Sequence, residues 1–130
     1  MAAGPKLDGA GTVKIVTLEE SLVQLQTLHG LVERMAMEVK SEKPIGSLLP
    51  QFKRLATPLQ GKLKAQFQLI GDLISGMLQV AGRGGPEAQK VRAFREGIAQ
   101  VRTQIEIAIV QTKDKHAVKQ DEKTGRREDE

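Results

Sequence analysis

The feature that most constrains this chain is a stripe in its C-terminal third. Val91, Phe94, Ile98, Val101, Ile105, Ala108 and Thr112 follow one another at alternating spacings of three and four residues. That spacing keeps one face of an α-helix apolar over about six turns, whereas the two-residue period of a strand would scatter the same side chains over both faces. Residues 87–112 are therefore predicted to form a long helix that lies along a neighbour at a shallow angle. Pro86 suits the first position of such a helix, where its missing N–H has no intrahelical partner anyway. The run Ala81-Gly82-Arg83-Gly84-Gly85 before it reads as the C-cap of a preceding helix and a tight turn, and a phosphate-holding loop is disfavoured because no Walker Lys-Ser/Thr follows.

Two further segments carry the helical period. Thr17 and Glu20 have capping-box spacing, which predicts a first helix over about residues 18–40. Its stripe is Leu18, Leu22, Leu25, His29, Val32, Ala36 and Val39, widened by Leu28, Leu31 and Met35. Pro44 and Gly46 end it, and Ser47 with Pro50 opens the next. That second helix is expected over about residues 48–80, because Leu48, Phe52, Leu55, Leu59, Leu63, Phe67, Ile70, Ile74 and Met77 keep helical spacing throughout. Pro58 inside it removes one hydrogen bond and predicts a kink near Thr57. Gly61, Gly71 and Gly76 each cost about 1 kcal/mol relative to Ala in a helix interior, which points to close approach of another backbone. Residues 1–16 read as a flexible leader in which TVKIV is strand-like but has no partner strand, and residues 113–130 as a charged disordered tail.

The short turn before Pro86 forces the second and third helices into an antiparallel hairpin. At the far end of the third helix Ile105, Ile107, Ala108, Ile109 and Val110 are apolar all round, more than one partner helix covers, so the first helix, a second protomer or both are expected to pack there. The fold class expected is all-α: an antiparallel helical hairpin plus one further helix, completed as a dimeric four-helix-type core. The homodimer interface is placed on Val91, Phe94, Ile98, Val101, Ile105 and Ile109.

Composition narrows the chemistry. There is no Cys and there are two His, so thiolate sites, disulfides and multi-histidine metal sites have no material, and no catalytic residue, metal or cofactor is expected. The apolar-leaning stretch from Phe67 to Val80 is broken by Asp72 and is too short to span a bilayer, so the expectation is a cytoplasmic protein without a membrane partner. Aromatics are 2%, which leaves few stacking platforms for nucleic acid despite a net charge of +4. A basic helical nucleic-acid-associated protein is therefore an alternative, and not the favoured one. Among the histidines, His116 reads as a solvated tail residue.

One segment carries a likeness to a known family. Lys53 to Leu59 reads K-R-L-A-T-P-L and is followed by a Gly-turn and a second amphipathic helix. This resembles the dimerisation and phosphotransfer hairpin of bacterial sensor histidine kinases, whose first helix carries H-E-L-R-T-P-L. Leu55, Thr57, Pro58 and Leu59 match in register, and the likeness extends over residues 48–112. Lys53, Arg54 and Ala56 stand where the family has its phosphoacceptor His, its acidic residue and its Arg. The resemblance thus implies a dimeric bundle without kinase activity that response regulators or kinases recognise, a regulatory or scaffold protein in bacterial signalling. The docking surface it implies lies on Gln60, Lys64 and Gln68 together with Arg95 and Arg102. A further alternative is phosphotransfer on His29, since L-H-G-L-V-E resembles the H-x-L-K-G of stand-alone phosphotransfer proteins. Only His29 and Leu31 match that pattern, with Val32 and Glu33 in place of its Lys and small residue.

Overall fold

A computed structural model describes residues 7–116. It contains α1 (Gly9–Lys40), α2 (Leu49–Lys64), α3 (Gln68–Gly82) and α4 (Glu87–Lys115). Each helix packs on two others, α1 on α2 and α4, and α3 on α2 and α4, while the backbones of the diagonal pairs stay apart. The chain is an all-α bundle, as its periodicity requires. No helix among the described residues is long and apolar enough to cross a membrane.

Helix lengths set the shape. α1 and α4 have 32 and 29 residues, α2 and α3 only 16 and 15. The α2–α3 hairpin therefore covers part of the α1–α4 pair. Near its tip Lys62 reaches Glu20 (3.7 Å) and Gln24 (3.5 Å). Beyond that level α1 and α4 continue alone as a two-helix stem, sealed by Gly11, Ile15 and Leu18 against Ile105, Ala108 and Thr112, all buried. In the four-helix part, Phe52 of α2 and Phe94 of α4 stack across the diagonal with ring centroids 4.2 Å apart and planes 20° from parallel. Such a pair adds about 0.5–1.5 kcal/mol to the area it buries. Ile45, fully buried in the α1–α2 connection, donates its N–H to Glu87 Oε2 at 3.3 Å and ties that connection to the start of α4.

Several sequence expectations are corrected. TVKIV is helical, because α1 begins at Gly9 with Asp8 as its N-cap, Oδ1 accepting the Gly11 N–H at 2.7 Å. Thr17 is a mid-helix residue. The β-branched run favours strand locally, but Gly11, Ile15 and Leu18 prolong the α1 stripe, and their burial on α4 outweighs propensity. Of the proposed 1–16 leader, residues 1–6 lie outside the described residues. The tail likewise begins later than expected: α4 runs to Lys115 with His116 as its cap, and residues 117–130 lie outside the described residues.

The single helix expected over 48–80 is two helices. α2 continues through Pro58, which sits on the exposed face of the helix, where the Arg54 carbonyl that loses its donor is on the solvent side. The break comes later, at Phe67, whose φ of −137° and ψ of 75° leave the helical region. Gly71 makes the reversal possible. A Cβ there would lie 2.6 Å from Lys64 Cβ and 2.7 Å from Lys64 Cα, so only glycine lets α3 start this close to the end of α2. The expectation of backbone contact at a glycine holds for Gly71, whereas a methyl added at Gly61 or Gly76 would meet nothing within 4 Å.

That extra helix changes the assembly argument. Four helices now come from one chain, and Val91, Phe94, Ile98, Val101 and Ile105 are 5%, 0%, 2%, 0% and 0% exposed within it. Ile109 is half-buried against the same core. The seam assigned to a dimer interface is the interior of the protomer, because α1 and the α2–α3 hairpin already cover it.

Candidate docking groove

The surface that stands out lies between α3 and α4. On α3, Leu69, Leu73, Gly76 and Val80 recur at spacings of four, three and four, which lines them up on the side that meets α4. On α4, Ala93, Gly97, Gln100 and Gln104 form the opposing row, with Ala99 and Thr103 beside it. Between the rows run three cavities. The first, about 350 Å³, is lined by Leu69, Leu73, Ala99, Gln100, Thr103 and Gln104. A second of about 270 Å³ shares Leu73 and Gln100 with it, and a third of about 180 Å³ shares Val80 and Ala93 with the second. Shared walls make them one groove. From Leu69 to Val80 it spans about 17 Å at the helical rise, three turns of helix.

Small residues give the groove its depth. Gly97 lets Met77 of α3 lie against α4, since a Cβ there would fall 2.6 Å from both Met77 Cγ and Sδ, and the space over Gly76 is open. The upper end is apolar and uncovered. Leu69 is 61% exposed, and Ile107, one turn beyond Thr103, is 42% exposed. Asp72 and Glu96 line the middle cavity, both exposed, and neither takes part in any of the ion pairs among the described residues. Arg83 and Lys90 stand at the lower end.

A second groove, about 480 Å³, lies between α1 and α4 and is lined by Ala36, Met37, Val39, Lys40, Ala88 and Val91 below Glu33 and Arg95. Two of its three charged residues are already paired with each other. Arg95 donates from Nε and Nη2 to the two Glu33 carboxylate oxygens at 2.9 and 2.7 Å. That forked pair holds the Glu33 carboxyl below its usual range and raises Arg95. The α3–α4 groove is smaller at any one point, but its charged walls are unpaired and its apolar end is open.

The structure divides the surface expected for a partner. Gln60 donates to Ser75 Oγ at 2.9 Å and so braces α2 against α3. Lys64 and Gln68 are exposed around the α2–α3 turn. Arg95 and Arg102 instead bond to α1, to Glu33 and to Gln26 (3.0 Å), on the side of α4 turned away from α3. These residues form two patches, and the groove lies between them. In the segment with the histidine-kinase likeness, Leu59 is in the core at 1% exposure while Lys53, Arg54, Thr57 and Pro58 face outward. His29 is half-buried on α1.

Sequence reasoning missed the cluster at the stem tip. His116 Nε2 lies 3.2 Å from Lys14 Nζ, and Nδ1 lies 3.2 Å from both Asp8 carboxylate oxygens. An ammonium only donates, so Nε2 accepts and Nδ1–H is left to donate to Asp8. The Gly11 N–H, and after it His116, hold the Asp8 carboxyl below its usual range. Asp8 N–H also donates to the His116 carbonyl at 3.1 Å, so the clasp fastens the start of α1 to the end of α4. The signal available in the sequence was Asp8 as a cap two residues before Ala10, followed by a stripe beginning at Gly11. No group of three metal-ligating side chains occurs among the described residues.

Fold and surface together define an all-α four-helix bundle with a two-helix extension and a lateral groove. No protein family, curated protein or solved structure matches the chain.

Proposed function

We propose that this protein is a non-catalytic interaction module that receives a helix of a protein partner in its α3–α4 groove. The observation that carries this reading is the continuity of the groove with an exposed apolar end, Leu69 at 61% and Ile107 at 42%. Helix-in-groove recognition needs such a trough, about three turns long and able to accept side chains at i, i+4 and i+7. The role is regulatory or scaffolding in kind, in keeping with the absence of a histidine at Lys53 in the kinase-like segment. Mapping of amide chemical shifts during titration with a helical Leu/Ala peptide tests it. Shifts clustered on Leu69, Leu73, Gly97, Gln100 and Thr103 support the reading. Shifts centred on Ala36, Val39 and Ala88, or none at all, overturn it.

A further inference from the structure

We infer that the helix accepted by the α3–α4 groove is a basic amphipathic one, with a bulky apolar residue followed one turn later by Lys or Arg. The inference rests on the docking reading above and adds the chemistry of the occupant. Two chemically different cavities follow one another along the groove. The upper one, between Leu69, Leu73, Ala99 and Thr103, has an apolar wall and no charged residue in its lining. The middle one is flanked by Asp72 on α3 and Glu96 on α4, with apolar Leu73, Met77 and Val80 below them. Their lining residues are offset by about five positions along each helix, which is about 7 Å at 1.5 Å per residue. An occupant lying along the groove presents side chains at i and i+4 about 6 Å apart on one face, so one turn carries it from the apolar cavity to the acidic one.

Charge decides what the second side chain is. The two carboxylates are exposed and lack ion-pair partners among the described residues, although the chain as a whole carries a net charge of +4. An acidic stretch on the wall of a groove in a basic protein favours a cation and repels a carboxylate. A long Lys or Arg suits the site because its methylene stem packs on Leu73 and Val80 while its head reaches the carboxylates.

The test uses the full chain and three fluorescently labelled helical peptides, identical except that the residue one turn after the apolar anchor is Lys, Gln or Glu. Fluorescence anisotropy reads the affinity of each, and circular dichroism confirms that protein variants keep their helicity. The expected order is Lys tighter than Gln and Gln tighter than Glu, with about five- to tenfold between Lys and Gln and a difference that shrinks as salt rises. Replacing Asp72→Asn and Glu96→Gln together should bring the Lys peptide to the affinity of the Gln peptide. Equal binding of all three peptides overturns the basic-helix inference and leaves the docking reading standing. Binding of none of them overturns both.

Discussion

Two glycines of α3 provide a paired test of how the hairpin is built. Alanine is about 1 kcal/mol better than glycine in a helix interior, so Gly76→Ala, with nothing within 4 Å of the added methyl, should stabilise the protein by about that amount. The same substitution at Gly71 meets Lys64 Cβ at 2.6 Å, Cα at 2.7 Å and N at 3.0 Å. Two of those atoms are backbone, fixed by the hydrogen bonds of Gln66 and Phe67 to the Leu63 carbonyl, so the clash cannot be relieved by a rotamer change. Overpacking costs about 1–3 kcal/mol, and a rigid obstacle places this site near the top of that range. After the gain of about 1 kcal/mol in propensity, Gly71→Ala should lose about 2 kcal/mol. For a domain near 110 residues this is a fall in Tm of about 8–10 °C, against a rise of about 4 °C for Gly76→Ala. Thermal melts followed by the helical circular dichroism signal read both. A Gly71→Ala protein that melts at or above the parent refutes the close crossing of α2 and α3.

Other expectations follow from the same contacts. Phe94→Ala and Phe52→Ala should each destabilise by about 3–5 kcal/mol, and the double variant should lose less than the sum by about 0.5–1.5 kcal/mol, measured by urea unfolding. Because the Asp8 carboxyl is held below its usual range, its contribution is fully present above about pH 5 and is lost as pH falls through the folded value. Asp8→Asn, which keeps the cap but cannot titrate, should therefore flatten the acid limb of a stability profile, and an unchanged limb would count against a lowered Asp8 carboxyl held by the Gly11 N–H and His116. Ile105→Glu places a charge at a fully buried site of the protomer and should unfold the chain, as circular dichroism will show. A folded monomer from that variant would return Ile105 to a subunit interface. Gly76→Leu fills the open groove without touching the core, so it should preserve helicity and weaken peptide binding at least about tenfold, the loss expected from about 1.4 kcal/mol.

The class of fold was legible because burial in helices repeats every three or four residues, and the stripe from Val91 to Thr112 is buried as its spacing demands. What the period could not reveal was the break at Phe67. Leu63, Phe67, Ile70 and Ile74 stay in helical register across it, because both helices of the hairpin turn the same apolar side to one core. The information lay in Gly71, whose reason appears only when Lys64 is seen above it. The missed break led the Val91–Ile105 stripe to be placed at a dimer seam, since three helices leave that stripe partly uncovered and the fourth completes its burial within the protomer. The groove was hidden for a related reason. Leu69 reads as one more apolar residue of a long helix, and its 61% exposure depends on where α4 passes.

If a partner helix lies between α3 and α4 and not between α1 and α4, a photo-crosslinking amino acid should distinguish the two grooves directly. The probe is placed at Leu69 or, separately, at Met37, which are exposed at 61% and 69%. With the labelled Lys peptide bound, irradiation should join peptide to the protein carrying the probe at residue 69 and leave the residue 37 protein unmodified. Crosslinking from residue 37 with none from residue 69 would contradict the α3–α4 placement.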